Sequence, residues 1–253
     1  VIFLIFSNAF ASAQSGIDNV LKAVAKNNKT LQANKQLLEA KNFNYKTGIY
    51  PSNPSVEYDY MKGTPSNAGD QHDFLVVQAF DFPTTYHRKN QLAREQTLKS
   101  ENEAVSLRQD ILIDAKKICI RLVYHQQMQT RLLQRKNQTE SLLSDFQKKL
   151  DTGDGNILDV NKAKLQLISI SKELQNNSSS ITQLNQKLTE LNGGVAISFD
   201  DSVYAFTEQL PPFETLEKEY ELNDPMRKLL EQDKTISQKQ LEVSRSMSLP
   251  KVE

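Results

Sequence analysis

Asp151, Asp154, Asn156 and Asp159 crowd one short stretch of this sequence. Oxygen donors at such spacing suggest a calcium loop. A twelve-residue calcium loop closes on a bidentate glutamate, however, and the frame starting at Asp151 closes on Lys162. The pattern therefore predicts a solvated turn and no metal. His72, His87 and His125 are scattered, without ligand spacing. Cys119 is the only cysteine, so an intrachain disulfide and a thiolate zinc cluster are both excluded. It lies on an apolar stripe with Leu112, Ala115 and Leu122, which predicts core packing rather than a nucleophile. No glycine-rich phosphate loop follows a strand. These residue types support neither an enzyme nor a cofactor. Two more carboxylates, Glu57 and Asp59, alternate with Val56, Tyr58 and Tyr60 and so share the polar face of a strand. That face could line a barrel lumen or be the wet side of a soluble sheet; strand length and an export signal favour the lumen.

The turn residues Leu150, Asp151, Thr152, Gly153, Asp154, Gly155 and Asn156 must be held by what flanks them. No proline occurs between Pro83 and Pro211, and before Gly193 the only glycines in that run are Gly153 and Gly155. A run from Thr84 to Asn192 interrupted only there predicts two long helices and one tight reversal. In the second arm Ala163, Leu167, Ile170, Leu174, Asn177, Ile181, Leu184, Leu188 and Leu191 alternate by four and three, a coiled-coil seam with one polar position. In the first arm Leu98, Val105, Leu112 and Cys119 recur every seven residues, and Leu143, Phe146 and Leu150 resume near the turn. From Tyr124 to Thr139 the seam is mostly polar, facing either water or another helix. A continuous first arm would extend roughly 100 Å, more than any compact domain needs.

Around this hairpin the 253 residues divide into distinct segments. Lys plus Arg equals Asp plus Glu at 31 each, so net charge signals no nucleic-acid partner. Residues 1–13 end an apolar run with Ala11-Ser12-Ala13, as a secretory signal does. Within 14–53, Ile17 to Thr47 is predicted helical, with Asn27-Asn28 a candidate interruption and Gly48 the stop. Residues 54–83 hold two predicted strands, Val56 to Tyr60 and Asp73 to Phe82, around a loop from Gly63 to Gly69. The facing of the second strand is not separable by polarity. Two strands alone are unstable and an open edge is not tolerated in lipid, so this hairpin requires further strands. Residues 193–212 form a linker. From 213 to 253 the chain resembles its own beginning at an offset of 196, with Lys22 matching Lys218, Asn27 matching Asn223, Gln36 matching Gln232 and Pro54 matching Pro250. This predicts a second structural repeat, cut short at Glu253.

The order signal, helix, strand pair, long helical hairpin and repeat resembles the TolC-type outer-membrane efflux factor family. Local matches are Asn53-Pro54-Ser55-Val56-Glu57 entering the first strand and Gln78-Ala79-Phe80-Asp81-Phe82-Pro83, then Tyr86-His87-Arg88, leaving the second. A third is the turn from Leu150 through Gly153, Gly155 and Leu158 to Ala163. Departures are the missing second half and the asparagine-rich seam at Asn176-Asn177. The resemblance implies a mainly α fold with a membrane β-hairpin: a long antiparallel coiled-coil helical hairpin plus strands contributed to a trimeric outer-membrane β-barrel. It implies a homotrimer in the outer membrane of a Gram-negative bacterium, in contact with outer-membrane lipid, with a large periplasmic portion. The expected role is the passive exit duct of a tripartite efflux or type I secretion system. Its partners would be a periplasmic adaptor and an inner-membrane efflux pump or ABC transporter, and Leu150 to Asn156 would be the adaptor-docking tip. The alternatives are a periplasmic adaptor or a structural coiled-coil stalk.

Overall fold

In a computed structural model of the chain, residues 8–63, 69–204 and 211–250 are described. Among them run α1 (Asn8–Asn27), α2 (Lys29–Tyr45), β1 (Ser55–Met61), β2 (Gln71–Val77), α3 (Pro83–Asp151), α4 (Ile157–Leu191), α5 (Phe213–Asn223) and α6 (Pro225–Met247). Residues 1–7 of the expected signal, Thr64 to Ala68 of the loop, 205–210 of the linker and 251–253 of the repeat lie outside the described residues. The chain forms two compact units, Val1–Gln32 with Leu107–Pro211 and Ala33–Ser106 with Pro212–Glu253.

The first unit is the helical hairpin with α1 against its base. Its core joins Val20 and Val24 of α1 to Ala115, Ile118, Cys119, Leu122 and Val123 of α3, Leu184 and Leu188 of α4, and Phe199 beyond it. Every predicted seam position of α4 is turned inward: Ala163, Ile170, Asn177, Leu184 and Leu188 are buried, and the remaining four are half-buried. Within the polar stretch of α3, His125 and Gln129 meet α4, Gln126 and Gln127 donate to the Phe199 and Ser202 carbonyls beyond it, and residues such as Tyr124, Arg131 and Leu133 are exposed. Asn177 Nδ2 donates to the His125 carbonyl (2.9 Å) and to Gln129 Oε1 (2.8 Å), and Asn177 Oδ1 lies 2.7 Å from His125 Nδ1. A buried amide is satisfied only in this register, so the polar position fixes the alignment of the two arms. At the base, Asn28 separates α1 from α2. Its Oδ1 accepts from Leu31 N–H (3.0 Å) as an N-cap, and its Nδ2 donates to the Leu191 carbonyl (2.7 Å).

In the second unit, the N-terminal part of α3 packs along α2 and α6. Lys41 pairs with Glu103 (3.0 Å) and the Tyr45 and Ser100 hydroxyls are hydrogen-bonded (3.0 Å). Along α6, Lys99 meets Asp233, Gln232 donates to Glu95, Lys239 to Gln91, Arg88 meets Glu242, and Thr85 donates to the Ser246 carbonyl. The hydrogen bond from Lys99 to Asp233 holds that ammonium above its ordinary pKa. Ile236, Val243 and Ser246 of α6 and Thr85, Ala93 and Ser100 of α3 are buried. Leu98 and Val105, expected on the first-arm seam, are instead exposed. A straight helix drifts about 20° per heptad, so a stripe in phase at Cys119 has rotated away three heptads earlier.

β1 and β2 pair antiparallel, with Ser55 opposite Val77, Tyr58 opposite Phe74 and Met61 opposite Gln71. β2 thus begins earlier than expected and stops at Val77, well before Phe82. The reason lies across the ladder. Pro54, just before Ser55, has no N–H to donate, and the regular ladder with β1 ends at Val77, with only a bridge at Phe80 beyond it. Gln78 instead bonds through its side chain to the Ser52 carbonyl (2.5 Å).

Candidate functional site

The reversal between α3 and α4 is built by backbone chemistry. Gly153 N–H donates to the Leu150 carbonyl (3.1 Å) and Asp154 N–H to the Lys149 carbonyl (2.9 Å). This pair of bonds is a Schellman closure, and it places Gly153 at φ +82°. Gly155 has an ordinary φ, but a Cβ there would sit 2.5 Å from Leu150 N and 2.7 Å from the Lys149 carbonyl carbon. Asn156 then caps α4: its Oδ1 accepts from Leu158 N–H (2.9 Å), and Asp159 places a carboxylate in the first turn, where the helix dipole favours it.

Asp151, Thr152, Gly153, Asp154 and Asn156 are exposed, while Leu150 and Gly155 are half-buried. The Thr152 hydroxyl is turned back onto the Lys149 carbonyl (3.0 Å), and Asp151 Oδ1 accepts from Gln147 (3.1 Å). Of the turn's two aspartates, Asp154 has no hydrogen bond or ion pair to its carboxylate among the described residues. Ile157 and Leu158, beside the turn, are 52% and 59% exposed. Sequence reasoning left them out of the tip, although their place off the seam, before Val160 and Ala163, was the available signal. Carboxylates, small residues and two uncovered apolar side chains are thus gathered on the exposed surface of the turn.

The strand pair is the other candidate. All of β1 and nearly all of β2 is exposed, on both faces. The register places Val56, Tyr58 and Tyr60 with Val76, Phe74 and His72 on one face, and Glu57, Asp59 and Met61 with Leu75, Asp73 and Gln71 on the other. Glu57 and Asp59 therefore do share a face, and Asp73, directly opposite Asp59, joins them. Asp73 was not assigned from sequence because only the pairing reveals its side. On the apolar face the Tyr58 hydroxyl meets His72 Nδ1 (2.6 Å), and the Tyr60 and His72 rings lie 4.9 Å apart.

The other titratable candidates are structural. His87 Nε2 bonds to Gln91 (2.8 Å) and His125 belongs to the Asn177 network. Cys119 is wholly buried, and burial, with the Asp201 charge adding, pushes its thiol up to about 11. Such a thiol is inert at neutral pH.

No protein-family model and no curated protein matches the sequence. Solved structures do match the fold. The outer-membrane channel OprN is similar over 96% of this chain and 57% of its own, with a TM-score of 0.73 at 12% identity. The Campylobacter jejuni CmeC outer-membrane channel is similar over 98% of this chain and 57% of its own, at TM-score 0.70 and 14% identity. The outer-membrane protein VceC from Vibrio cholerae is similar over 73% of this chain and 48% of its own, at TM-score 0.58 and 16% identity. The chain spans about half the length of these structures. At such identities the likeness establishes the fold alone.

Proposed function

We propose that this chain is the channel component of an outer-membrane exit route, serving tripartite efflux or type I secretion. The observation that carries the reading is a two-stranded sheet exposed on both faces, joined in sequence to a 69-residue helix, within a fold similar to OprN and CmeC over nearly all of this chain. In water such a sheet has no stabilising core. In a barrel one face meets lipid and the other a lumen. Val56, Tyr58, Phe74 and Val76 suit lipid; Glu57, Asp59 and Asp73 suit water. Each strand has seven residues, roughly 24 Å when extended and about 17–20 Å of rise at a barrel strand's tilt, so the residues flanking each strand would complete the crossing of the roughly 25 Å apolar band.

A closed barrel needs about eight strands or more, so several copies must contribute. Three copies with four strands each is the arrangement we favour. Two of those strands are β1 and β2. The helices would line a periplasmic tunnel, and the turn from Leu150 to Asn156, with Ile157 and Leu158, would meet an adaptor that links the duct to an inner-membrane pump or ABC transporter. The protein itself would move cargo passively, as a wall rather than a catalyst. The likenesses support this reading over an adaptor or a stalk, because they extend over 96% and 98% of this chain, strand pair and hairpin together.

The test is topological. With Cys119→Ala as background, Lys62→Cys at the end of β1 should react with a membrane-impermeant maleimide on intact cells. Asp154→Cys at the helical turn should react only after the outer membrane is permeabilised. The reverse pattern, or labelling of both sites on intact cells, would refute the exit-duct topology.

A further inference from the structure

At the edge of the core, α1 borders a groove of about 460 Å³ against α3. Its floor is Leu21, Ala25 and Leu112, all half-buried, and Lys22, Lys26 and Arg108 stand around it with Asp18. None of these four charged groups forms an ion pair among the described residues. Three cations around an apolar floor, with a single acid among them, call for an acidic amphipathic occupant.

The chain itself carries one. α5 holds Glu214, Glu217, Glu219 and Glu221 against Lys218, and no residue of it is buried. Phe213, Leu216 and Tyr220 recur at three and four residues and make one stripe. Phe213 and Tyr220 are 76% and 67% exposed. Glu217 and Glu221 are one turn apart beside that stripe, as Lys22 and Lys26 are beside Leu21 and Ala25.

We propose that α5 of one copy of this chain lies in the groove of a second copy, its stripe on Leu21, Ala25 and Leu112 and its carboxylates on Lys22, Lys26 and Arg108. The inference rests on the assembly of several copies proposed above. The dimensions agree: α5 extends roughly 16 Å, and the α1 side of the groove, Asp18 to Lys26, roughly 12 Å. An 11-residue helix covers little area, so this contact orients neighbouring copies rather than holding them together. Its charged rim makes it salt-sensitive.

The test uses the protein in its native membrane with Cys119→Ala as background. One tagged copy carries Ala25→Cys and a differently tagged copy carries Leu216→Cys. Under mild oxidation a disulfide between the two tags should form roughly tenfold faster than when Lys172→Cys, on the exposed side of α4, replaces Ala25→Cys. Reversing Lys22 and Lys26 to Glu on the first copy should lower that yield roughly tenfold. Adding Glu217→Lys and Glu221→Lys to the second copy should restore it. Oligomers without this crosslink, or a crosslink confined to one copy, would overturn the docking and leave the channel reading standing. A protein that forms no oligomer in the membrane would overturn both.

Discussion

Gly153 and Gly155 stand two residues apart in the turn and are glycine for different reasons. The first needs positive φ and has open space around its Cα; the second has ordinary dihedrals and no space. Alanine at Gly153 should therefore cost about 1 kcal/mol of backbone strain. At Gly155 the Cβ meets backbone atoms that cannot swing aside, so the cost should be larger, about 2–3 kcal/mol, and the α3–α4 junction should distort. Thermal unfolding of the two variants, followed by helical circular dichroism, checks the order; equal losses would show that the turn relaxes freely. The comparison bears on docking too. A bulky group at Gly155 disturbs the turn itself, so a partner is better probed with Asp154→Lys, whose side chain has no partner among the described residues. That substitution should reduce adaptor crosslinking while leaving unfolding unchanged. The glycine pair marked the turn in the sequence, but the close approach to Lys149 and Leu150 could not be read there, because it depends on how the helix end closes. Cys119 offers a pH test at the same scale. Its folded pKa is raised from the ordinary 9.0 to about 11, so the neutral thiol's contribution is complete below pH 9 and is lost as pH climbs toward 11. Dithionitrobenzoate at pH 8 should leave the native protein unlabelled and react fully in denaturant; fast native labelling would mean that the core around Leu122 opens.

Along the helices, what could be read in advance followed from how many partners a face has. α4 has one seam, and all nine expected positions are buried or half-buried because α3 lies against it throughout and α1 joins the same side only near its end, at Leu184 and Leu188. α3 changes company along its length. Near the turn it meets α4, at Cys119 it also meets α1, and before Ser106 it belongs to a unit with α2 and α6. A period extrapolated from Cys119 to Leu98 assumes one partner throughout, and that assumption failed. Within the polar stretch left open from Tyr124 to Thr139, His125 and Gln129 turned out to be the match for Asn177, visible only once both arms are aligned. Asn177→Ala removes two donated hydrogen bonds and leaves a small void, so it should lower stability by about 1–3 kcal/mol. Asn177→Leu is the more telling variant. Leucine fills the space, and Gln129 and His125 are half-buried and can turn to water, so stability should change by less than about 1.5 kcal/mol while the alignment of the arms loosens. Paired cysteines placed in register at Leu132 and Ile170, and one heptad out of register, measure this. Off-register disulfides should rise in the leucine variant; an unchanged ratio would mean that the apolar seam alone sets alignment.

At the scale of the whole molecule the strand pair is the element that the chain leaves incomplete. Its composition announced a half-polar first strand, but the second reads apolar on both sides, and a loop of this length does not fix a register as a two-residue turn would. Pairing resolves it: Phe74 and Val76 lie with Tyr58 and Val56, and Leu75 lies with Glu57. Phe74 and Leu75 are neighbours in sequence, similar in hydropathy and both exposed here, so in water a charge at either would be nearly neutral. In the proposed barrel they are not equivalent. Phe74 would face hydrocarbon, where arginine costs about 2–4 kcal/mol per strand near the midplane, and three copies would multiply the penalty. Leu75 would face the lumen, where arginine is hydrated and lies beside Glu57, directly opposite, and near Asp73. Phe74→Arg should therefore strongly deplete the assembled protein in the outer-membrane fraction. Leu75→Arg should assemble normally and shift the channel's preference away from cations, because it sets a positive charge among Glu57, Asp59 and Asp73. Quantifying assembled oligomer and single-channel ion selectivity for the two variants side by side gives the answer. If Leu75→Arg is the one that fails to assemble, the faces are exchanged and the acidic row cannot line the lumen. If neither variant alters assembly, β1 and β2 do not cross a bilayer at all.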